Sequence, residues 1–291
     1  MASAATFSER VSASIGRISP AERRVARFFQ LNREEVLVAS ASELAEKVGT
    51  SDATVIRATK ALGFSGMDEL RRTLAEELKD DLSPANRVMR TLNEVGDDLE
   101  AAFRLSLEIH QASLQALQRD ITPDMFRRAV ELIIGAERVH VFGVGPSGTM
   151  ADYFAIQLGR YGIEAASLTQ TGLLLADGIQ RLRRDELLIM FTYGRVYREV
   201  ATLLAQAERR GTARILFSDS LGLQLADRVD LYLPVQRGRA DLLSTHTATL
   251  ALIEALLIGI PARRAEATLD NLRALNRMRG ELMGEPMDFP M

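Results

Sequence analysis

The six residues Gly143-Val144-Gly145-Pro146-Ser147-Gly148 put three glycines and a hydroxyl into one short turn. Glycine lets the backbone approach closely enough for its amides to surround an anion, and a helix starting there adds the positive end of its dipole. The expected guest is a phosphate. The spacing also satisfies the GxGxxG pattern of dinucleotide sites, which need an acidic residue about 20 positions on to hold the ribose. Here the corresponding strand ends in Leu168-Thr169-Gln170. A nicotinamide site is therefore disfavoured, no cofactor is expected, and the Ser147 hydroxyl suits a sugar phosphate better.

Two further turns carry compatible chemistry. In Thr192-Tyr193-Gly194-Arg195-Val196-Tyr197-Arg198-Glu199, Arg195 offers forked donors to an anion, whereas Arg198 reads equally as a surface partner of Glu199. Ser218-Asp219-Ser220 is a third, hydroxyl-rich turn. The candidate ligand residues are Gly143, Gly145, Ser147, Thr192, Gly194, Arg195, Ser218 and Ser220.

A different chemistry is written between Ser42 and Leu62. Leu44, Ala45 and Val48 line the inner face of one short helix, and Val55, Ile56 and Leu62 are expected to be buried by a second. Gly49 sits where the turn of a helix-turn-helix needs a left-handed backbone. That arrangement leaves Ser51, Asp52, Ala53, Thr54, Arg57 and Lys60 exposed near the start of the helix that would enter a DNA major groove. There Arg57 reaches guanine or phosphate and Lys60 reaches phosphate. A structural helical hairpin with a solvated face fits the spacing as well. Residues 1–80 carry 12 basic and 12 acidic side chains, so net charge attracts no phosphate. Arg17, Arg23, Arg24, Arg27, Arg57, Lys60, Arg71 and Arg72 would have to gather on one side, and a dimer would double the patch.

Other chemistries are missing. With no Cys, a disulfide framework, a thiolate metal site and a cysteine nucleophile are excluded. His110, His140 and His246 lie too far apart in sequence to start a metal cage, and no metal is expected. Aldose–ketose isomerisation needs a positioned base, for which His246 and Glu254 are the best pair. Eight residues apart on a helix they would be separated by roughly 12 Å, too far to share one carbon.

The elements that must position these residues differ between the two ends of the 291-residue chain. Residues 1–79 read as short helices without strand alternation. Phe7, Val11, Ile15 and Ile18 form a helical stripe, and Ser19-Pro20 with Glu22 begins a capped helix. Residues 80–121 read as a helical linker. Its stretch Asn86–Arg119, with Leu99, Phe103, Leu107, Leu114 and Leu117, suits either pairing with another chain or packing on its own domain. In residues 122–291, after a helix Asp124–Gly135, short β-rich runs alternate with helices: Arg138–Phe142, Ile163–Leu168, Glu186–Thr192, Ala213–Ser218 and Val229–Pro234. This alternation predicts a three-layer α/β/α domain around a parallel five-stranded sheet. A helix is expected from about Thr149 and another over Leu242–Leu257, with a fraying tail after Glu285.

Length and composition agree with two globular domains: 47% of residues are hydrophobic and 26% charged. The N-terminus lacks the apolar core of a secretion signal. The longest apolar runs, Glu186–Phe191 and Thr247–Ile260, fall well short of the roughly 20 residues that span a bilayer. No membrane partner is expected, and the location expected is cytoplasmic. The balance of 36 basic against 39 acidic residues, net −3, gives no basic footprint.

The order of these motifs resembles the RpiR/MurR transcriptional regulators. The resemblance runs from about Phe7 to Ile260. It rests on SPAERRVARFF before the helical pair, GFSGMDELRRTL after it, and GVGPSG at the opening of the α/β domain. It implies a helix-turn-helix domain fused to a SIS (sugar isomerase) domain that senses phosphosugars, with Ser51–Leu62 as recognition helix and Gly143, Gly145 and Ser147 in the first phosphosugar loop. In the family the second loop reads Ser-x-Ser-Gly followed by Thr or Ser. Here Thr192 takes the first position, Gly194 and Arg195 replace Ser and Gly, and Tyr197 replaces the later hydroxyl. The partners implied are a double-stranded DNA operator, a small and phosphorylated or related anionic effector, and the chain itself as a dimer or dimer of dimers. The competing reading is a phosphosugar isomerase with an accessory helical domain.

Overall fold

The computed structural model describes residues 7–14, 17–81, 84–219, 221–239 and 242–284. The chain forms two compact units, Met1–Arg90 and Thr91–Met291.

Among its described residues the first unit is built from helices: α1 (Phe7–Ser14), α2 (Pro20–Leu31), α3 (Arg33–Val38), α4 (Ala41–Val48), α5 (Asp52–Ala61), α6 (Met67–Asp81) and the start of α7 (Pro84–Val95). Two helices start with reciprocal caps. Ser19 Oγ accepts from the Glu22 amide at 3.3 Å while the Glu22 carboxylate accepts from the Ser19 amide at 2.9 Å, and Ser40 and Glu43 repeat the pattern on α4. These bonds hold the Glu22 and Glu43 carboxyls below the usual carboxylate range. Phe7, Val25, Phe29, Leu44, Val55, Leu62, Leu70 and Leu74 form the core. Of the expected N-terminal stripe, Phe7, Val11 and Ile18 are buried; Ile15 lies outside the described residues.

Two helices replace the continuous connector expected over Asn86–Arg119: α7 and α8 (Leu99–Asp120). Between them Gly96 takes a left-handed φ of 61°, and the Asp98 carboxylate accepts from the Glu100 and Ala101 amides at 2.9 and 3.1 Å. A left-handed glycine followed closely by an aspartate cap ends one helix and begins the next. After α9 (Pro123–Gly135), the chain alternates β1 (Val139–Gly143), α10 (Pro146–Arg160), β2 (Ala165–Leu168), α11 (Leu174–Ile179), β3 (Leu187–Phe191), α12 (Arg198–Arg210), β4 (Ala213–Ser218), α13 (Gly222–Leu225) and β5 (Leu231–Pro234). The helices α14 (Thr247–Gly259) and α15 (Ala265–Met283) follow.

The sheet is parallel, in the order β2-β1-β3-β4-β5, as the alternation predicts. One face packs Val139, Val141, Ile189 and Ile215 against Phe154, Leu158, Leu252 and Leu256; the other packs Phe142, Leu188, Met190 and Leu216 against Leu203 and Leu204. The strand order reverses between β1 and β3, so the loops leaving their C-terminal ends flank the crevice where open α/β sheets bind ligands.

Two helix starts differ from expectation. α10 begins at Pro146 rather than Thr149, because proline's fixed φ suits the first helical position. α14 begins at Thr247, not Leu242, which leaves His246 at its cap and the preceding segment non-helical.

Candidate functional site

At the end of β1, Gly143 is buried. A Cβ placed on it would lie 2.3 Å from the Ser147 carbonyl oxygen, so no larger residue fits without moving the first turn of α10. Gly145 caps that helix at φ 59° and ψ −129°, a conformation essentially restricted to glycine. Ser147, expected in the loop, is buried within the first helical turn.

The second loop leaves β3 beside the first, since Gly143 pairs with Phe191 in the register. Thr192 is buried, and its Oγ1 has no hydrogen-bond partner. The Arg195 amide donates to the Tyr193 carbonyl at 2.9 Å across Gly194, whose φ is 76°. This is the γ-turn whose central residue takes a positive φ, a conformation glycine adopts without a Cβ penalty. The Gly194 amide donates to both Asp219 carboxylate oxygens at 3.1 and 3.2 Å, and Ser218 Oγ donates to the Thr192 carbonyl at 2.5 Å. The ends of β3 and β4 are thereby locked together. Arg195 is exposed, with its guanidinium 4.3 Å from the Tyr197 ring centre; Arg198 is exposed at the start of α12. Thr192, Gly194 and Ser218 thus interlock, while Gly143, Gly145 and Ser147 shape the neighbouring loop. Ser220 lies outside the described residues.

Sequence reasoning missed a polar cluster next to the second loop. The Tyr193 and Thr249 hydroxyls are 2.8 Å apart, the Arg237 guanidinium stands 5.2 Å from the Tyr193 ring centre, and the His246 ring meets that ring edge-on at 6.0 Å. Burial pushes the Tyr193 phenol well above its ordinary value. Burial, together with the Arg237 charge, lowers His246 to about 4, so its imidazole is neutral at pH 7. Both His246 nitrogens are buried without a hydrogen-bond partner. No local pattern joins these residues, which come from three separate segments; Tyr193 lay within a turn already singled out and His246 was named as a candidate base, but nothing in the sequence brought them together. Glu254, the other half of the isomerase pair, is exposed on α14 and accepts from the Tyr153 hydroxyl at 3.4 Å. Among the described residues no group of three or more His, Asp or Glu is placed to hold a metal ion, and no helix is long and apolar enough to cross a membrane.

In the first unit, α4 ends at Gly49 with φ 68°, and the Thr50 amide returns to the Ala45 carbonyl at 2.8 Å before α5 begins. Ser51, Asp52, Ala53, Arg57 and Lys60 are exposed. Thr54, expected on the exposed face, is only 6% exposed. Its Oγ1 lies 3.0 Å from Ser51 Oγ and accepts from the Arg57 guanidinium at 3.0 Å. Conversely Ile56, expected in the core, is 42% exposed. One residue along a helix is a turn of about 100°, so Ile56 cannot share the inward direction of Val55. An exposed Ile on this face offers apolar contact of the kind that thymine methyls accept. Ser42 Oγ donates to the Asp52 carboxylate, tying α4 to α5. Arg71 does not belong to a free basic patch: it donates to the Val36 and Ala39 carbonyls at 3.1 and 2.5 Å at the end of α3. Arg17, Arg23, Arg24, Arg27 and Arg72 are exposed.

Comparison with known proteins matches each unit to a described family. The rpiR-family helix-turn-helix domain matches residues 6–81 and the SIS domain residues 132–259. The Bacillus subtilis protein named uncharacterized HTH-type transcriptional regulator YbbH is 27% identical over 272 residues, covering 89% of this chain and 92% of that protein. The HTH-type transcriptional regulator HexR of Pseudomonas aeruginosa is 26% identical over 288 residues, covering 97% of each. Among solved structures, the sugar isomerase domain of an RpiR transcription factor from Sphaerobacter thermophilus superposes with a TM-score of 0.54 at 28% identity, covering 58% of this chain and 94% of that one. The Vibrio vulnificus NanR protein complexed with ManNAc-6P shares the fold over 95% of this chain and 99% of that one, with a TM-score of 0.63 and 22% identity.

Proposed function

The chain belongs to the RpiR family, an rpiR-type helix-turn-helix domain followed by a SIS domain, and we propose that it regulates transcription by coupling operator DNA to a phosphorylated sugar. In this reading residues 1–79 are the DNA-binding head, 80–121 the connector and 122–291 the sensing domain. The recognition helix α5 presents Ser51, Asp52, Ala53, Ile56, Arg57 and Lys60 to the duplex, with Thr54 positioning Arg57 from beneath. A phosphate sits at the N-terminus of α10 on Gly143, Gly145 and Ser147, and Thr192, Gly194, Arg195 and the 218–220 turn complete the site. The observation that carries this is the pairing, on one chain, of a capped helix-turn-helix with a glycine-lined helix N-terminus at the strand-order reversal.

The isomerase alternative is not favoured. His246 is a half-buried cap residue whose ring nitrogens are buried, Glu254 is an exposed helix residue, and the full-length relatives carry regulator names. Self-association is part of the proposal: α8 leaves Leu99 85% and Phe103 66% exposed, with Leu107 and Leu114 on the same face. The protein then acts as a dimer in the cytoplasm, and Phe103→Glu lowers its mass in sedimentation toward that of a monomer.

The test has two arms. Selection among genomic fragments at moderate salt should return a defined operator. A thermal-shift panel of sugar phosphates, N-acetylmannosamine 6-phosphate included, should return a stabilising ligand whose effect is lost in Ser147→Ala and Arg195→Ala. Absence of any sequence preference refutes the regulator; turnover of a panel member that disappears in His246→Ala restores the isomerase.

A further inference from the structure

Among its described residues, 235–239 and 242–246, the segment between β5 and α14 is neither strand nor helix, yet it is held at both ends. On the sheet side, the Val235 amide donates to the Ser218 carbonyl at 2.8 Å, and Arg237 and His246 bracket the Tyr193 ring of the second ligand loop. The Thr245 amide donates to the Arg237 carbonyl at 3.1 Å, which closes the segment into a loop. The tip of that loop packs on the connector, not on the sheet. Leu242 is buried with Leu105 and Ile109 of α8 and with Val95 of α7, in a cluster separate from both sheet cores. Arg239 pairs with Glu94 at 2.8 Å, and the Leu243 amide donates to Thr91 Oγ1 at 3.2 Å. Gly238, at φ 81°, lies so close to α8 that a Cβ would come within 2.9 Å of Ile109. Where the loop rejoins α14, Thr247 Oγ1 lies 2.7 Å from His110 Nδ1, and Ser106 Oγ lies 3.3 Å from His110 Nε2.

We propose that this loop is the coupling element of the regulator: it reads occupancy of the sugar-phosphate site through Arg237, Tyr193 and His246, and passes it to the connector through Arg239–Glu94, Leu242 and His110–Thr247. The inference rests on the function proposed above. Its physical basis is contiguity. The His246 nitrogens and Thr192 Oγ1 are buried polar atoms without partners beside the second loop, so a polyol that supplies those partners stabilises one placement of the loop over another. The next residue, Thr247, is bonded to α8, and α7 leads in sequence straight to the DNA-binding head. In this proposal a shift of the loop at one end strains or releases its contacts at the other, and that difference is the coupling free energy the experiment measures.

The experiment uses the full chain with its selected operator and four probes: glucose 6-phosphate, fructose 6-phosphate, N-acetylglucosamine 6-phosphate and ribose 5-phosphate. Operator affinity is measured with and without each probe, and probe affinity separately, in wild type, Arg239→Gln, Thr247→Val and the swapped pair Glu94→Arg/Arg239→Glu. Wild type should show a change in operator affinity of at least about 5-fold. In Arg239→Gln and Thr247→Val that factor should fall toward 1 while each separate affinity stays within about 2-fold, and the swapped pair should recover most of it. A residue needed only for folding would alter both affinities and leave their ratio intact. Variants that couple as strongly as wild type overturn the proposal. So does a wild type that binds operator and a probe with no effect of one on the other. A wild type that binds neither overturns the underlying function instead.

Discussion

Replacing Gly143 by alanine tests the geometry of the anion loop directly. The added Cβ would stand 2.3 Å from the Ser147 carbonyl oxygen, 2.5 Å from its carbon and 2.9 Å from the Gly148 nitrogen, all backbone atoms of α10's first turn. The nearest of these is about 1.1 Å inside ordinary contact, and no flexible side chain is available to yield. Either α10 retreats by about that distance or β1 bends away from its pairing with β3. Overpacking of this kind costs roughly 1–3 kcal/mol. For a unit of about 200 residues that lowers Tm by roughly 2–12 °C, at 2–4 °C per kcal/mol. Moving the helix N-terminus by about 1 Å also spoils hydrogen bonds whose useful range is only a few tenths of an ångström wide. Differential scanning fluorimetry with and without the stabilising sugar phosphate reads both effects: the transition of the C-terminal unit falls and the ligand-induced shift disappears. Gly145→Ala separates strain from clash, because no atom beyond its chain neighbours lies within 4 Å of the added Cβ and its destabilisation comes from backbone strain alone. A Gly143→Ala protein with wild-type Tm and an undiminished ligand shift would refute the close approach and the anion site built on it.

Three other outcomes follow. Arg57→Ala should weaken operator binding by about 1–3 kcal/mol while leaving Tm almost unchanged, because the side chain is exposed and, among the described residues, hydrogen-bonds to Thr54 on its own helix; fluorescence anisotropy against salt measures it, and equal binding removes Arg57 from the interface. His246 is held at about 4 in the folded chain against about 6.5 unfolded, so the unfolded state binds the extra proton. The contribution of His246 to stability is therefore complete above about pH 6.5 and is lost as pH falls toward 4. Urea unfolding across that window should show wild type losing more stability than His246→Gln, and parallel curves would contradict the assignment. Ser19→Ala should cost the N-terminal unit about 1 kcal/mol by opening the cap of α2, seen as an earlier helical transition by circular dichroism; an unchanged midpoint would mean that water replaces the cap at no cost.

The architecture was legible because its signals are local. Strand runs bounded by glycines, a Ser-Pro-x-Glu cap and a left-handed glycine between two short amphipathic segments each lie within a few neighbouring residues, and each appears where the pattern placed it. Ser147 was likewise legible as a member of the glycine turn, although proline at the first helical position moved the helix start so that this serine lies inside the helix. What the pattern left open was direction. Thr54 and Ile56 exchange their expected environments because α5 packs against α2 as well as α4, and that rotation is set by the whole helical core. The connector reads as one periodic helix, yet Gly96 and Asp98 divide it. Least legible was the cluster of Tyr193, Arg237, His246 and Thr249. Its members share no motif and become neighbours only where parallel strands deliver separate loops to one edge. Short-range chain preferences thus determined which elements form and in what order, whereas the packing of those elements decided which polar groups meet, because contacts between distant residues exist only after burial brings them together.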